Sequence, residues 1–384
     1  MARLPVPNRI INLLDDDIDV EFFHTADQRG YVTMPVAGRR ETFELSAQAV
    51  ERHINSILLR LGKVPAATVA KSVIAGCEVL AFDGPCQQVY TRVADLGARV
   101  VIDLADETGR VVVCTKVGWS VVDVSPVAFR RAAGMLALPE PRRADGALGE
   151  FGLLCGEITD AEYALIIGSL VVALRGRAPY PLLSLVGGAG SGKSTLAEML
   201  RGLVDPNKVA LRPFPDSLRD LAIMADNSAL LMFDNVSEIS QPMSDSLCRF
   251  TSGGGYSTRR LYKNREEELF EIARPALVTS ISNVILAEDL AERTLFVHLD
   301  PLTNRRSKAD ILASYEAIRA SVLAELLDGV CAALTPIQPP ADTAGLPRLL
   351  DAVLTADPAL AYLGFGEYAF SRAHDYMRAG GRWR

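Results

Sequence analysis

The chain has 384 residues, of which 49% are hydrophobic and 23% charged, a balance that excludes a disordered tail and is enough for two or three buried cores. Its formal charge of -7 argues against a protein that coats nucleic acid with its whole surface, while leaving room for a local basic loop. The longest plainly apolar segment, YALIIGSLVVAL at 163–174, is too short to cross a bilayer, and the start MARLPVPNRIINLLDDD has no secretory pattern, so no membrane partner and a cytoplasmic location are expected. Six cysteines lie scattered without C-x-x-C spacing or a nearby histidine pattern, which predicts free thiols rather than a zinc site or disulfide framework.

Residues 45–61 place Val50, Ile54, Ile57, Leu58 and Leu61 on one helical face, and a second helix is expected over 66–76. The β-branched runs VYTRVA, ARVVIDL, RVVVC and GWSVVDV, separated by turn signals, then predict a small antiparallel sheet over 89–124. LALPEPRRADG at 136–146 reads as a linker, so residues 1–145 are expected to form an α+β adaptor domain. A helical lead-in over 146–178 precedes a core at 179–304 that opens with a strand at 182–186 and a helix at 193–203. A strand is expected at 208–212, a helix capped by Asp216 at 216–225, and a strand in ALLMFD. A long helix over 310–334 and a final helical segment after PIQPPADTAGLP make 305–384 a helical C-terminal region.

The chemistry concentrates in LVGGAGSGKST, where an apolar strand runs into the pattern Gly187-x4-Gly192-Lys193-Ser194 and then a helix. In such a turn the N–H groups of Gly187, Gly188, Ala189, Gly190, Ser191, Gly192, Lys193, Ser194 and Thr195 can face a phosphate. Lys193 then reaches its β and γ oxygens, and the Ser194 hydroxyl ligates Mg²⁺, which makes ATP and magnesium the expected cofactors. Asp234, ending the strand LLMFD, supplies the second metal-side oxygen. Asn235 follows, where a proton-accepting glutamate is common; its amide can orient water and cannot accept a proton, so Glu238 is the candidate base. RPALVTSIS predicts a further strand, with Thr279 or Ser280 as a polar sensor at its end. Arg293, just before the next apolar strand, is either a finger toward a neighbouring subunit's γ-phosphate or a salt-bridged surface arginine, with Arg305 and Arg306 as further candidates. In the insertion SGGGYSTRRLYKNREEE, the basic Arg259, Arg260, Lys263 and Arg265 lie among Tyr256 and Tyr262, suited to phosphates and unpaired bases; an inter-subunit salt-bridge loop is the alternative.

This order of features resembles the superfamily 3 helicases, in particular the primase-associated and helicase-like ATPases of prophages, plasmids and other mobile elements. GGAGSGKS, LLMFDN, the basic hairpin, RPALVTS and Arg293 carry the resemblance, and SDSLCRFTSGGGYSTRRLYKNREEELFEIARPALVTSIS and WSVVDVSPVAFRRAAGMLALPEP extend it over about residues 85–330. It implies a P-loop NTPase with an AAA+ type α/β core, preceded by the small α+β domain and followed by the helical segment. It further implies a homo-oligomer, a hexameric ring, that hydrolyses ATP with Mg²⁺ and pulls single-stranded or forked DNA through a pore touched by Lys263 or Arg260. A primase or replication initiator is the implied partner, and no primase site is present upstream. The competing expectation is a non-motor ATPase, a nucleotide-dependent switch or scaffold in a mobile-element or phage-defence system.

Overall fold

The computed structural model describes residues 5–254, 256–259, 267–270, 272–335 and 349–379, and for 256–259 and 267–270 the backbone alone. The chain divides into two compact units, one of Met1–Arg92, Glu107–Arg110 and Asp123–Arg131, the other of Val93–Asp106, Val111–Val122 and Ala132–Arg384.

The first unit begins with helix α1 (Val6–Asp15) and the meander β1 (Glu21–His24), β2 (Gly30–Val36) and β3 (Arg39–Glu44), paired antiparallel. Helices α2 (Gln48–Arg60) and α3 (Ala67–Asp83) close its core around Ile10, Phe22, Val32, Ile54 and Val73. The periodicity of 45–61 is realised in α2, which buries Val50, Ile54 and Leu58. The next helix runs seven residues beyond the expected 66–76 and ends at Gly84, where a Cβ would stand 3.3 Å from the Leu80 carbonyl oxygen. Strand β4 (Val89–Tyr90) belongs to this unit.

The second unit opens with the expected sheet, an antiparallel meander of β5 (Val93–Asp95), β6 (Arg99–Asp103), β7 (Val111–Thr115) and β8 (Gly118–Val122). The chain then returns to the first unit as β9 (Ala128–Phe129), parallel to β4. Residues 136–146 run without regular structure inside the second unit. Leu136 donates to Pro206 O at 2.9 Å, Leu138 to Leu104 O at 2.9 Å and Arg142 to Ala320 O at 3.1 Å.

After α4 (Ala147–Gly152), helix α5 (Asp160–Arg175) starts from a capping box in which the Thr159 hydroxyl takes the Glu162 N–H and the Glu162 carboxylate takes the Thr159 N–H. Helix α5 is apolar on nearly every face because it is enclosed on nearly every face. Strand β10 (Leu182–Gly187), α6 (Lys193–Val204), α7 (Leu218–Asp226), β11 (Leu231–Phe233) and α8 (Gln241–Ser252) follow. The hairpin β12 (Tyr256–Arg259) and β13 (Glu267–Phe270), then β14 (Ala276–Ser280), α9 (Glu288–Ala291) and β15 (Thr294–Leu299) complete the core. Its sheet is wholly parallel, in the order β11-β14-β10-β15. Helices α10 (Lys308–Ala332), α11 (Leu350–Tyr362) and α12 (Ala369–Arg378) pack with α5 into the main core.

Two local expectations are corrected. Residues 208–212 form no strand, only a single bridge from Arg212 to Phe233, because Pro213 and Pro215 have no N–H with which to extend a ladder. Ser217, not Asp216, caps α7, accepting the Asp220 N–H at 3.1 Å. Among the described residues, no helix is long and apolar enough to cross a membrane.

Candidate nucleotide site

The parallel register decides what meets at the carboxyl ends of the strands. Strand β14 lies between β10, which leads into the glycine-rich loop, and β11, which leads into Asp234. Ligands of open parallel sheets bind at this edge. The loop turns through Gly190 and Gly192, both at φ 81°, a region that a side chain disfavours, and α6 starts at Lys193. Three oxygens converge there. The Ser194 hydroxyl donates to Asp234 Oδ1 at 2.9 Å, and the Thr279 hydroxyl donates to the same oxygen at 2.5 Å. Thr279 Oγ1 in turn accepts the Asn235 N–H at 2.9 Å, and the Thr279 carbonyl accepts the Val236 N–H at 2.9 Å. The turn after Asp234 is therefore clipped to β14, with Asn235 held at φ 54°.

Lys193 Nζ donates to Gly188 O at 3.3 Å, so the ammonium lies folded over the loop. Ser191 and Ser280 are fully buried, and neither hydroxyl has a protein partner. Of the two sensor candidates it is Thr279 that touches Asp234. Alternation along β14 turns Ser280 to the other face. Thr195 is half-buried in the first turn of α6, and Ala189 is exposed at the tip of the loop. Glu238 is exposed, and no contact joins it to this cluster.

Arg293 is not part of the cluster. Its carbonyl accepts the Leu182 N–H at 2.9 Å, and Leu182 pairs with Thr294, so Arg293 stands at the amino end of the sheet, roughly 20 Å along the strand from Gly187. Its Nε lies 3.6 Å from Asp289 Oδ2 on the preceding turn. Arg305 is brought in instead. A Cβ on Gly190 would stand 3.0 Å from Arg305 Nη2, and the Leu302 N–H points to Gly190 O at 3.5 Å. The sequence offers no signal for this placement, which follows from β15 ending beside Gly187. Arg306 instead faces Ser314 Oγ at 2.7 Å.

The basic insertion is anchored at its base, where Arg274 N–H donates to Phe250 O at 2.7 Å. Tyr256 pairs with Phe270 and Arg259 with Glu267 in the antiparallel ladder. Arg260, Tyr262, Lys263 and Arg265 lie outside the described residues. Among the described residues no group of three or more histidine, cysteine or acidic side chains forms a metal cage. The hydroxyl of Ser194 and the carboxylate of Asp234 are nevertheless hard oxygen donors of the kind that Mg²⁺ takes in ones and twos beside phosphate oxygens.

A mixed α/β protein with a parallel core sheet, a glycine-rich loop at a strand end and flanking helices has the architecture of the P-loop, AAA+-like class. Residues 152–356 match the family described as actinomycete integrative conjugative element replication protein, and the chain belongs to that family. No curated protein matches it. A solved structure entitled "SCCmec type IV Cch - active helicase" is 14% identical, with 94% of this chain and 72% of that chain covered at a TM-score of 0.50. A structure of the NrS-1 C-terminal region is 11% identical, with 85% of this chain and 69% of that one covered at 0.49.

Proposed function

We propose that the chain is an ATP-dependent DNA helicase or translocase that serves replication of a mobile element. The observation that carries this reading is the convergence of Ser194, Asp234 and Thr279 at the mouth of the glycine-rich loop. In the proposed complex the loop N–H groups and Lys193 hold the phosphates of ATP, while Ser194 and Asp234 hold Mg²⁺, which would neutralise charge on the transferring phosphoryl group. Thr279 and Asn235 orient the attacking water, and Glu238 takes its proton. Arg305 contacts the nucleotide of its own subunit, and Arg293, which is too distant for that, serves a neighbour in a ring, most simply of six. The basic hairpin from Tyr256 to Arg265 grips single-stranded or forked DNA delivered by a primase or initiator. Family membership supports the replication setting, and the likeness to a structure entitled as an active helicase supports the fold.

Lys193→Ala tests the reading directly. Hydrolysis should fall by a factor on the order of a hundred or more, the scale on which a lost charge-stabilising donor acts. Unchanged turnover would show the site to be elsewhere. One observation favours a second reading, a non-motor switch or scaffold: the residue clipped beside Asp234 is an amide rather than a carboxylate. DNA stimulation of ATP hydrolysis separates the two, because only the motor requires it.

A further inference from the structure

Helix α12 carries a stripe that neither the fold nor the nucleotide site uses. Of the ten tyrosines, eight have described side chains, and the three exposed ones, Tyr362, Tyr368 and Tyr376, all fall between 362 and 376. Tyr368 also breaks two local rules. Its backbone is left-handed at φ 56°, a region that a bulky side chain disfavours and that glycine or asparagine usually fills. It stands at the N-cap of α12, where Ser, Thr, Asp or Asn would bond the first N–H groups, and its side chain makes no such bond. Asp357 meets them instead, accepting the Phe370 N–H at 2.9 Å and the Ser371 N–H at 3.1 Å. With the Tyr368 side chain 65% exposed, the ring adds little to the core in exchange. Positions that break local rules without serving the fold are where functional side chains are found.

Arg372 and Tyr376 follow Tyr368 at intervals of four residues, so the three side chains share one side of α12 over roughly 12 Å. Tyr376 is 55% exposed. The Arg372 guanidinium reaches back toward the turn before the helix, where a Cβ on Gly366 would stand 3.5 Å from its Nη2. Among the described residues no carboxylate pairs with it. The nearest acid along the helix, Asp375, lies 3.6 Å from the His374 ring instead. Outside the described residues the sequence adds Arg382, Trp383 and Arg384, so this segment is basic in a chain whose net charge is -7. No leucine, isoleucine, valine, methionine or phenylalanine is exposed on α12. The stripe therefore lacks the apolar centre of a protein interface. Tyrosine faces beside an unpaired arginine are instead what a single strand engages, with bases stacked on the rings and a phosphate at the cation.

We propose that the Tyr368, Arg372 and Tyr376 face of α12 is a second contact for single-stranded nucleic acid, separate from the basic hairpin. The proposal rests on the reading of the chain as a protein that handles DNA. Tyr368 and Tyr376 each present a ring to an unpaired base, and Arg372 between them meets the backbone. Rings accept any base, so the contact is tolerant of sequence.

The test uses the full chain and a fluorescein-labelled oligothymidylate, with anisotropy read across a salt series. Alanine at both Tyr368 and Tyr376 should weaken binding about five-fold or more for each base that no longer stacks. Phenylalanine at both positions should restore the affinity because the rings survive, and leucine at both should not. Arg372→Ala should lower the log–log salt slope by about 0.7. Tyr368→Asn separates function from folding. Asparagine suits both the left-handed backbone and the cap, so thermal unfolding should occur at or above the native temperature while affinity falls. An oligonucleotide carrying 5-bromodeoxyuridine should cross-link under ultraviolet light to the peptides that hold Tyr368 and Tyr376. Native affinity in the double alanine variant, or cross-links confined to residues 256–265, overturns the proposal and leaves the DNA reading standing. A change of oligomeric state at native DNA affinity also overturns it, because the face then docks protein. A native chain that binds no single strand overturns both.

Discussion

Thr279 is the residue on which the candidate site turns. It is fully buried, donates to Asp234 and accepts from the Asn235 N–H. Thr279→Val keeps the shape, removes both bonds and leaves an N–H unsatisfied, at a cost of about 1–3 kcal/mol. Thermal unfolding should register that loss, and ATP hydrolysis should fall well beyond it, while Thr279→Ser should restore most of both. The glycine-rich loop was legible because it is one contiguous string. The choice of Thr279 over Ser280 was not, because it depends on which face of β14 looks toward Asp234, and that needs the sheet order. A second residue, His374, makes a pH prediction. It is buried on α12, and burial first, then the Arg378 charge, depress its pKa below 6.5 despite the nearby Asp375. Below pH 6.5 the unfolded chain therefore takes up a proton that the folded chain refuses, so stability is full above that pH and declines as pH falls through the depressed native value. Denaturant midpoints measured at about pH 7.5 and about pH 5.5 should differ less in His374→Gln than in the native chain.

Helices α5, α11 and α12 show why some elements could be read and others could not. The apolar stripe of 45–61 announced α2 almost to its ends, since such a stripe is a local property, whereas the burial of α10 gathers in its second half, from Val322 to Cys331, and spreads around the helix. Helix α5 is apolar all round, so its sequence shows burial and not its neighbours. Those neighbours require Gly168: a Cβ there would overlap the edge of the Phe370 ring and stand 3.3 Å from Ala356 Cβ. Gly168→Ala should cost about 1–3 kcal/mol through overpacking, even though alanine is the better helix former. A melting temperature equal to that of the native protein would show that α12 gives way without cost. The strand expected at 208–212 and the cap expected at Asp216 failed for local reasons, two prolines in one case and a better-placed serine in the other.

At the scale of the whole molecule, the segments of the two units alternate along the sequence. The chain leaves the first unit after Arg92 and returns to it twice, at Glu107–Arg110 and at Asp123–Arg131. Such a path is set by long-range contacts and is invisible to a reading that moves along the sequence. The DNA prediction also belongs here, because the net charge is -7 and binding must be local. If the hairpin grips the strand, Arg259, Arg260 and Lys263 changed together to alanine should weaken single-strand affinity. They should also flatten its salt dependence by about 0.7 in log–log slope for each phosphate that is no longer neutralised. Filter binding across a salt series measures both, and ATP binding should be unaffected.

Arg293 and the glycine-rich loop occupy opposite ends of one parallel sheet. In a ring of the kind proposed, that separation gives every subunit a front and a back, and it makes each site the joint property of two molecules. Defective copies would then poison their neighbours. Arg293→Ala subunits mixed with Lys193→Ala subunits should recover part of the ATPase activity that each lacks alone, because some junctions join an intact loop to an intact arginine. In a cell that carries both native and Lys193→Ala genes, the damage should exceed the share of mutant chains, so that loss of function behaves as a dominant trait rather than a recessive one.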